Sequence, residues 1–145
     1  MTVQEIAAAV DGVWLNPGPK VPVVRAVCTD SRKVLRESLF LPWVGERFDG
    51  HDFIDAALEA GAARIGHGVR AAEDPALTAV LARRGIPLEM CPTSNFQTGA
   101  AAPGSYPLKA YLDQGIPVTL NTDNTTVSGT TLAGEYALAR ERLGM

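Results

Sequence analysis

The sequence predicts an α/β fold: a single three-layer domain with a mostly parallel or mixed sheet between helices. Three observations predict it. Short apolar or β-branched runs alternate with amphipathic stretches, the pattern of strand–helix–strand units joined by right-handed crossovers. Gly61, Gly85 and Gly115 each close a helical stretch just before an apolar run, the usual C-terminal stop of a helix. The length is 145 residues, 46% hydrophobic and 20% charged, which suits one domain with a real core and excludes a disordered chain.

The elements follow in order. Thr2 and Glu5 form a capping box that opens a first helix through Val10. A short strand is predicted at residues 13–15, then a turn at residues 16–19, where two prolines flank a glycine. Residues 23–28 are β-branched and apolar, a second strand. Residues 39–41 form a third, whose end Pro42 demotes to an edge or a strand exit. Gly45 and Gly50 bound a loop. From His51 onward, Phe53, Ile54, Ala57 and Leu58 line one helical face.

Residues 63–66 are a short strand. Asp74 and Pro75 start a helix with a cap and a first-turn proline, lined by Leu77, Val80 and Leu81. Residues 87–91 are the next strand and residues 95–105 a loop rich in glycine, alanine and proline. Leu108, Tyr111 and Leu112 mark another helix, residues 118–120 another strand. Ser128 or Thr130 is predicted to cap a last helix through Leu132, Tyr136, Leu138 and Leu143.

Bulk properties exclude some classes. Net charge is -3 with no basic stripe, so nucleic acid is not an expected partner. No apolar run approaches a membrane span, and no membrane partner is expected. The first residues lack the basic flank and apolar stretch of a signal peptide. Cys28 and Cys91 stand alone and far apart, which predicts free thiols rather than a disulfide or metal pair. Together these point to the cytoplasm.

Two sets of motifs carry resemblances. Residues 29–33 (Thr-Asp-Ser-Arg-Lys), Leu39-Phe40 and residues 45–53 (Gly-Glu-Arg-Phe-Asp-Gly-His-Asp-Phe) come first, with Ala60-Gly61-Ala62 after them. They resemble the N-terminal domain of Mur ligases, in the branch that adds D-alanyl-D-alanine to a UDP-muramoyl tripeptide. The resemblance covers residues 1–62. It implies a UDP-binding site with Ser31 and Arg32 near the nucleotide and Asp49, Gly50 and His51 near the sugar and phosphates. Hydroxyl and guanidinium groups suit such a ligand. The alternative is that Asp30 and Arg32 only tie a surface turn together. The phosphate-binding loop of the ligases, Gly-x-x-x-x-Gly-Lys-Ser/Thr, is absent, so ligase chemistry is excluded.

Residues 64–68 (Arg-Ile-Gly-His-Gly), 73–75 (Glu-Asp-Pro), 87–95 (Pro-Leu-Glu-Met-Cys-Pro-Thr-Ser-Asn) and 115–123 (Gly-Ile-Pro-Val-Thr-Leu-Asn-Thr-Asp) form the second set. Ser128-Gly129-Thr130 and Glu135-Tyr136 extend it. They resemble adenosine deaminase. The resemblance implies a (β/α)8 barrel with one zinc ion, of which residues 64–143 correspond to the last three strand–helix units. It places His67 beside the zinc-bound hydroxide and makes Asp123 a zinc ligand. Asn124 stands where many members carry an aspartate that contacts the purine. The His-x-His and His-Ala-Gly-Glu segments that supply the other ligands and the proton shuttle are absent; His51 and His67 are the two histidines of the chain.

The expectation is therefore a chimera joined near Gly61: one merged α/β domain over residues 1–145, without a native function and not an enzyme, in which His67 and Asp123 are relics. No cofactor and no bound metal are expected. The alternative is a residual binder of UDP or zinc without catalysis. A homodimer through a sheet edge is the expected partner.

Overall fold

The computed structural model describes residues 24–43, 45 and 47–145, and the backbone of residues 13–15. The predicted first helix and the turn at residues 16–19 lie outside the described residues.

Six short strands build one sheet: β1 (Val13–Leu15), β2 (Ala26–Cys28), β3 (Ser38–Phe40), β4 (Ala62–Gly66), β5 (Leu88–Met90) and β6 (Val118–Leu120). Their order is β1-β6-β5-β4-β3-β2. Strands β2 to β6 are parallel, and β1 adds antiparallel to β6 with Val13 opposite Leu120. The result is the predicted three-layer α/β fold with a mostly parallel sheet. Strand β4 lies between β3 and β5, so the sheet runs without a break across Gly61.

Strand alternation sends successive side chains to opposite faces. Phe40, Ile65, Leu88, Met90, Val118 and Leu120 enter the main apolar cluster. Helices cover that face: α1 (Ile54–Glu59), α2 (Pro75–Arg84), α3 (Pro92–Gln97), α4 (Leu108–Asp113), α5 (Thr125–Ser128) and α6 (Leu132–Arg142) are the α-helices among the described residues. Ile54, Leu58, Leu81, Leu108 and Tyr111 are their fully buried contributions. Each such side chain stabilises by about 1.5–3 kcal/mol. The residues between them on the strands make a different surface. Leu39 packs with Val24 and Leu41, while Arg64 on β4 donates to Glu89 on β5 at 2.7 Å. Arg64 is buried and charged, so its pairing is what makes the position tolerable.

Two stretches differ from expectation. The predicted loop at residues 95–105 is preceded and entered by α3, which Pro92 opens at its first turn. The last helix is capped by Thr131, whose hydroxyl accepts from Gly134 N at 3.1 Å, rather than by Ser128 or Thr130. Ser128 closes the short helix α5 instead. Both surprises sit at C-terminal strand ends, where local bonds outweigh the polar, turn-like composition.

Among the described residues no helix is long and apolar enough to cross a membrane. Cys28 and Cys91 are free thiols.

Candidate functional site

A cleft of about 640 Å³ opens at the C-terminal ends of the parallel strands, where parallel α/β sheets place their ligands. Pro42 and Trp43 enter its wall from the loop after β3, His67 from the end of β4, Ser94 and Asn95 from α3, and Asp123 from the turn after β6.

His67 and Asp123 both hold left-handed backbone conformations, with φ of 53° and 57°. Each costs an L-residue about 1–2 kcal/mol. Such strain concentrates at working sites. The two side chains face each other, with His67 Nε2 4.0 Å from Asp123 Oδ2. The Ser94 hydroxyl donates to that same carboxylate oxygen at 2.7 Å. Asn95 is buried and its Nδ2 meets His67 Nδ1 at 3.1 Å. Its Oδ1 accepts from the Tyr106 hydroxyl at 2.9 Å, and burial pushes that hydroxyl well above its usual pKa, so it stays protonated. Burial lowers the pKa of His67 and outweighs the opposing pull of Asp123. The ring is therefore held toward its neutral form.

A second cluster lines the same cleft. Asp49 Oδ1 accepts from the His51 backbone N–H at 2.9 Å and lies 2.7 Å from His51 Nδ1. Asp49 Oδ2 is held by Arg70, which also forks onto Glu73 with two bonds of 2.9 Å. Burial raises the Asp49 pKa, but the His51 bonds and the His51 and Arg70 charges outweigh it and hold the carboxyl below its usual range.

The other predicted site residues go elsewhere. Asp49 and His51 line the cleft, whereas Ser31, Arg32 and Gly50 do not. Arg32 binds Asp30 through Nε and Nη2, both at 2.9 Å, and this pushes the Asp30 pKa down to about 2. Gly50 works through its backbone: a Cβ there would sit 2.4 Å from Trp43 N and 2.8 Å from Trp43 O. Asn124 caps α5, its Oδ1 accepting from Thr126 N and Val127 N at 3.1 Å, and it does not line the cleft. Sequence reasoning did not single out Ser94, Asn95, Arg70 or Trp43. The first two were findable, because a polar pair just after an apolar parallel strand falls on the ligand side of the sheet.

The zinc that the deaminase resemblance implies does not fit these donors. Among the described residues no group of three or more His, Cys, Asp or Glu side chains is placed to hold a metal ion. A catalytic zinc site takes three protein ligands; here one carboxylate stands near one histidine.

A cleft at the C-terminal ends of parallel strands, with a histidine after β4 and an aspartate after β6, lies where barrels of parallel strands and helices carry their sites. The family model described as adenosine deaminase matches residues 31–145, and the chain belongs to that family. It is 43% identical over 106 residues to an aminodeoxyfutalosine deaminase of Streptomyces coelicolor, covering 72% of this chain and 27% of that protein. It is 47% identical over 94 residues to an adenosine deaminase of Haemophilus ducreyi, covering 64% and 27%. An adenine deaminase of Arthrobacter aurescens superposes with a TM-score of 0.64 at 28% identity, over 76% of this chain and 33% of that one. The chain thus spans about a third or less of the length of these relatives. A MurF ligase of Acinetobacter baumannii matches 45% of the chain with a TM-score of 0.37, a likeness too slight to carry an argument.

These findings correct the sequence-based expectation. A chain without native function, artificial in origin and outside any enzyme class, is overturned by membership in a family whose matched relatives are named deaminases. The family match also begins at residue 31, well before the join expected at Gly61.

Proposed function

We propose that the chain serves hydrolytic deamination of a 6-aminopurine or its nucleoside, and supplies the part of the active site carried on the last three strands of the family's barrel. The observation that carries this is the pairing of His67 with Asp123 at the ends of β4 and β6 inside the matched region. In this role Asn95 and Tyr106 fix the His67 ring, Ser94 fixes the Asp123 carboxylate, and the cleft has the volume of a small-molecule site. Zinc, when bound in this family, supplies a water nucleophile; among the described residues no set of ligands makes that site.

Calorimetric titration with adenosine tests the proposal. Saturable binding is expected, weakened tenfold or more by Asp123→Ala, the equivalent of about 1.4 kcal/mol. Binding that Asp123→Ala leaves untouched contradicts it.

We also propose what the Mur-like residues 1–62 do here. They wall the cleft through Pro42, Trp43 and His51 and do not form a UDP site, since Ser31 and Arg32 lie off the cleft. UDP should then fail to displace adenosine; displacement contradicts this. A second copy of the chain is the proposed partner. Strand β2 has no neighbour on its outer side among the described strands, and Val27 there is exposed. Light scattering at micromolar concentration should report a dimer, and monomer alone removes the idea. The free thiols support a reducing, cytoplasmic location, which cell fractionation checks.

A further inference from the structure

The two histidines of the chain line one cleft but are wired in opposite senses. His51 has its Nδ1 2.7 Å from Asp49 Oδ1. A carboxylate held ionised only accepts, so in the neutral form of His51 the proton sits on Nδ1 and Nε2 keeps its lone pair. His67 has its Nδ1 against the Asn95 amide nitrogen. An amide nitrogen only donates, so His67 Nδ1 accepts and the proton of the neutral ring sits on Nε2.

Both Nε2 atoms lack a protein partner among the described residues. His51 Nε2 is buried with none, although the side chain is only 7% exposed. A buried polar atom left unpaired costs about 1–3 kcal/mol and calls for an explanation. His67 Nε2 is 4.0 Å from Asp123, beyond hydrogen-bond reach. Both rings line the same cleft.

We propose that His51 and His67 form an acceptor–donor pair that reads a ligand edge carrying an N–H beside a ring-nitrogen acceptor. A 6-aminopurine has such an edge, with its exocyclic amine next to a ring nitrogen. His51 Nε2 accepts from the amine and His67 Nε2–H donates to the ring nitrogen. The choice of a purine rests on the deaminase reading; the opposite wiring of the two rings does not. A shared metal does not explain the pair, because among the described residues no third ligand joins them.

Two measurements test this. A long-range proton–nitrogen correlation spectrum of ¹⁵N-histidine chain, taken well above the ordinary histidine pKa of about 6.5, should show one ring protonated at Nδ1 and the other at Nε2. His51→Gln, by deleting the first pattern, assigns it. Two rings of the same tautomer overturn the proposal. The second measurement compares adenosine with purine riboside, which lacks the amine. His51→Phe should weaken adenosine by about tenfold, as expected for one lost hydrogen bond, and leave purine riboside within threefold. Equal weakening of both overturns it. If His51→Phe does not fold, His51→Gln replaces it. If the unaltered chain binds neither nucleoside, the deaminase reading fails, while the spectrum still decides the wiring.

Discussion

Asp49 shows how much one side chain organises. It holds the His51 backbone and ring and receives Arg70, so it joins the loop after β3 to the turn after β4. Gly50 beside it is a matter of space. Gly50→Ala would drive a Cβ into the Trp43 backbone, and overpacking of this kind costs about 1–3 kcal/mol; urea unfolding should show that loss. Asp30 gives the pH dependence. Its folded pKa lies near 2, below the ordinary 3.8, so the unfolded chain takes up the proton first as pH falls. Its contribution is present above pH 3.8 and is lost on descent toward about 2. Asp30→Asn should flatten stability against pH in that window, and an unchanged slope contradicts the pairing with Arg32. At this scale His67 and Asp123 stood out in the sequence by type and position, and both line the cleft. The sequence was not legible where the partner is remote: nothing in the spacing brings Arg70 to Asp49 or Tyr106 to Asn95.

The elements divide the same way. Helix α2 was readable because its signals are local. Asp74 accepts from Ala76 N at 2.8 Å and from Leu77 N at 3.1 Å, Pro75 fills the first turn, and Gly85 closes it with φ of 61°. Asp74→Ala should cost about 1 kcal/mol. Gly85→Ala should cost a similar amount, about 1–2 kcal/mol, through backbone conformation alone, since nothing lies within 4 Å of its added Cβ. Thermal unfolding of each variant checks both. Helices α3 and α5 were missed because they are short and polar, with Phe96 and Val127 as their lone large apolar residues; α1 and α4, as short as α3, each show an apolar face. Yet α3 delivers Ser94 and Asn95, and α5 fixes Asn124 away from the cleft. The elements that build the site are the ones periodicity cannot see.

At the scale of the molecule, the class of fold was legible from alternating runs, but the strand order was not. Strands of three residues carry no pairing signal, and β1 joins antiparallel beside β6 across most of the chain length. We propose that residues 1–145 form one domain. Phe40 and Ile54 share a cluster with Ile65, Leu88 and Leu120, which supports it. Trp14 and Trp43 both precede residue 62, while most helix follows residue 74. Tryptophan fluorescence and helical circular dichroism should therefore report one coincident transition; separated midpoints would mean two units. Leu88→Ala, in the middle of the shared cluster, should lower both together by about 2–5 kcal/mol.

The central claim is that residues 63–145 carry a competent part of a deaminase site. Replacing the matching segment of the Streptomyces coelicolor aminodeoxyfutalosine deaminase with these residues tests it most directly, by ammonia release from that enzyme's substrate. The hybrid should fold and turn over, and His67→Ala within it should slow the reaction by about 10²–10⁴-fold. A folded hybrid without turnover, or one whose rate His67→Ala leaves unchanged, would contradict the account.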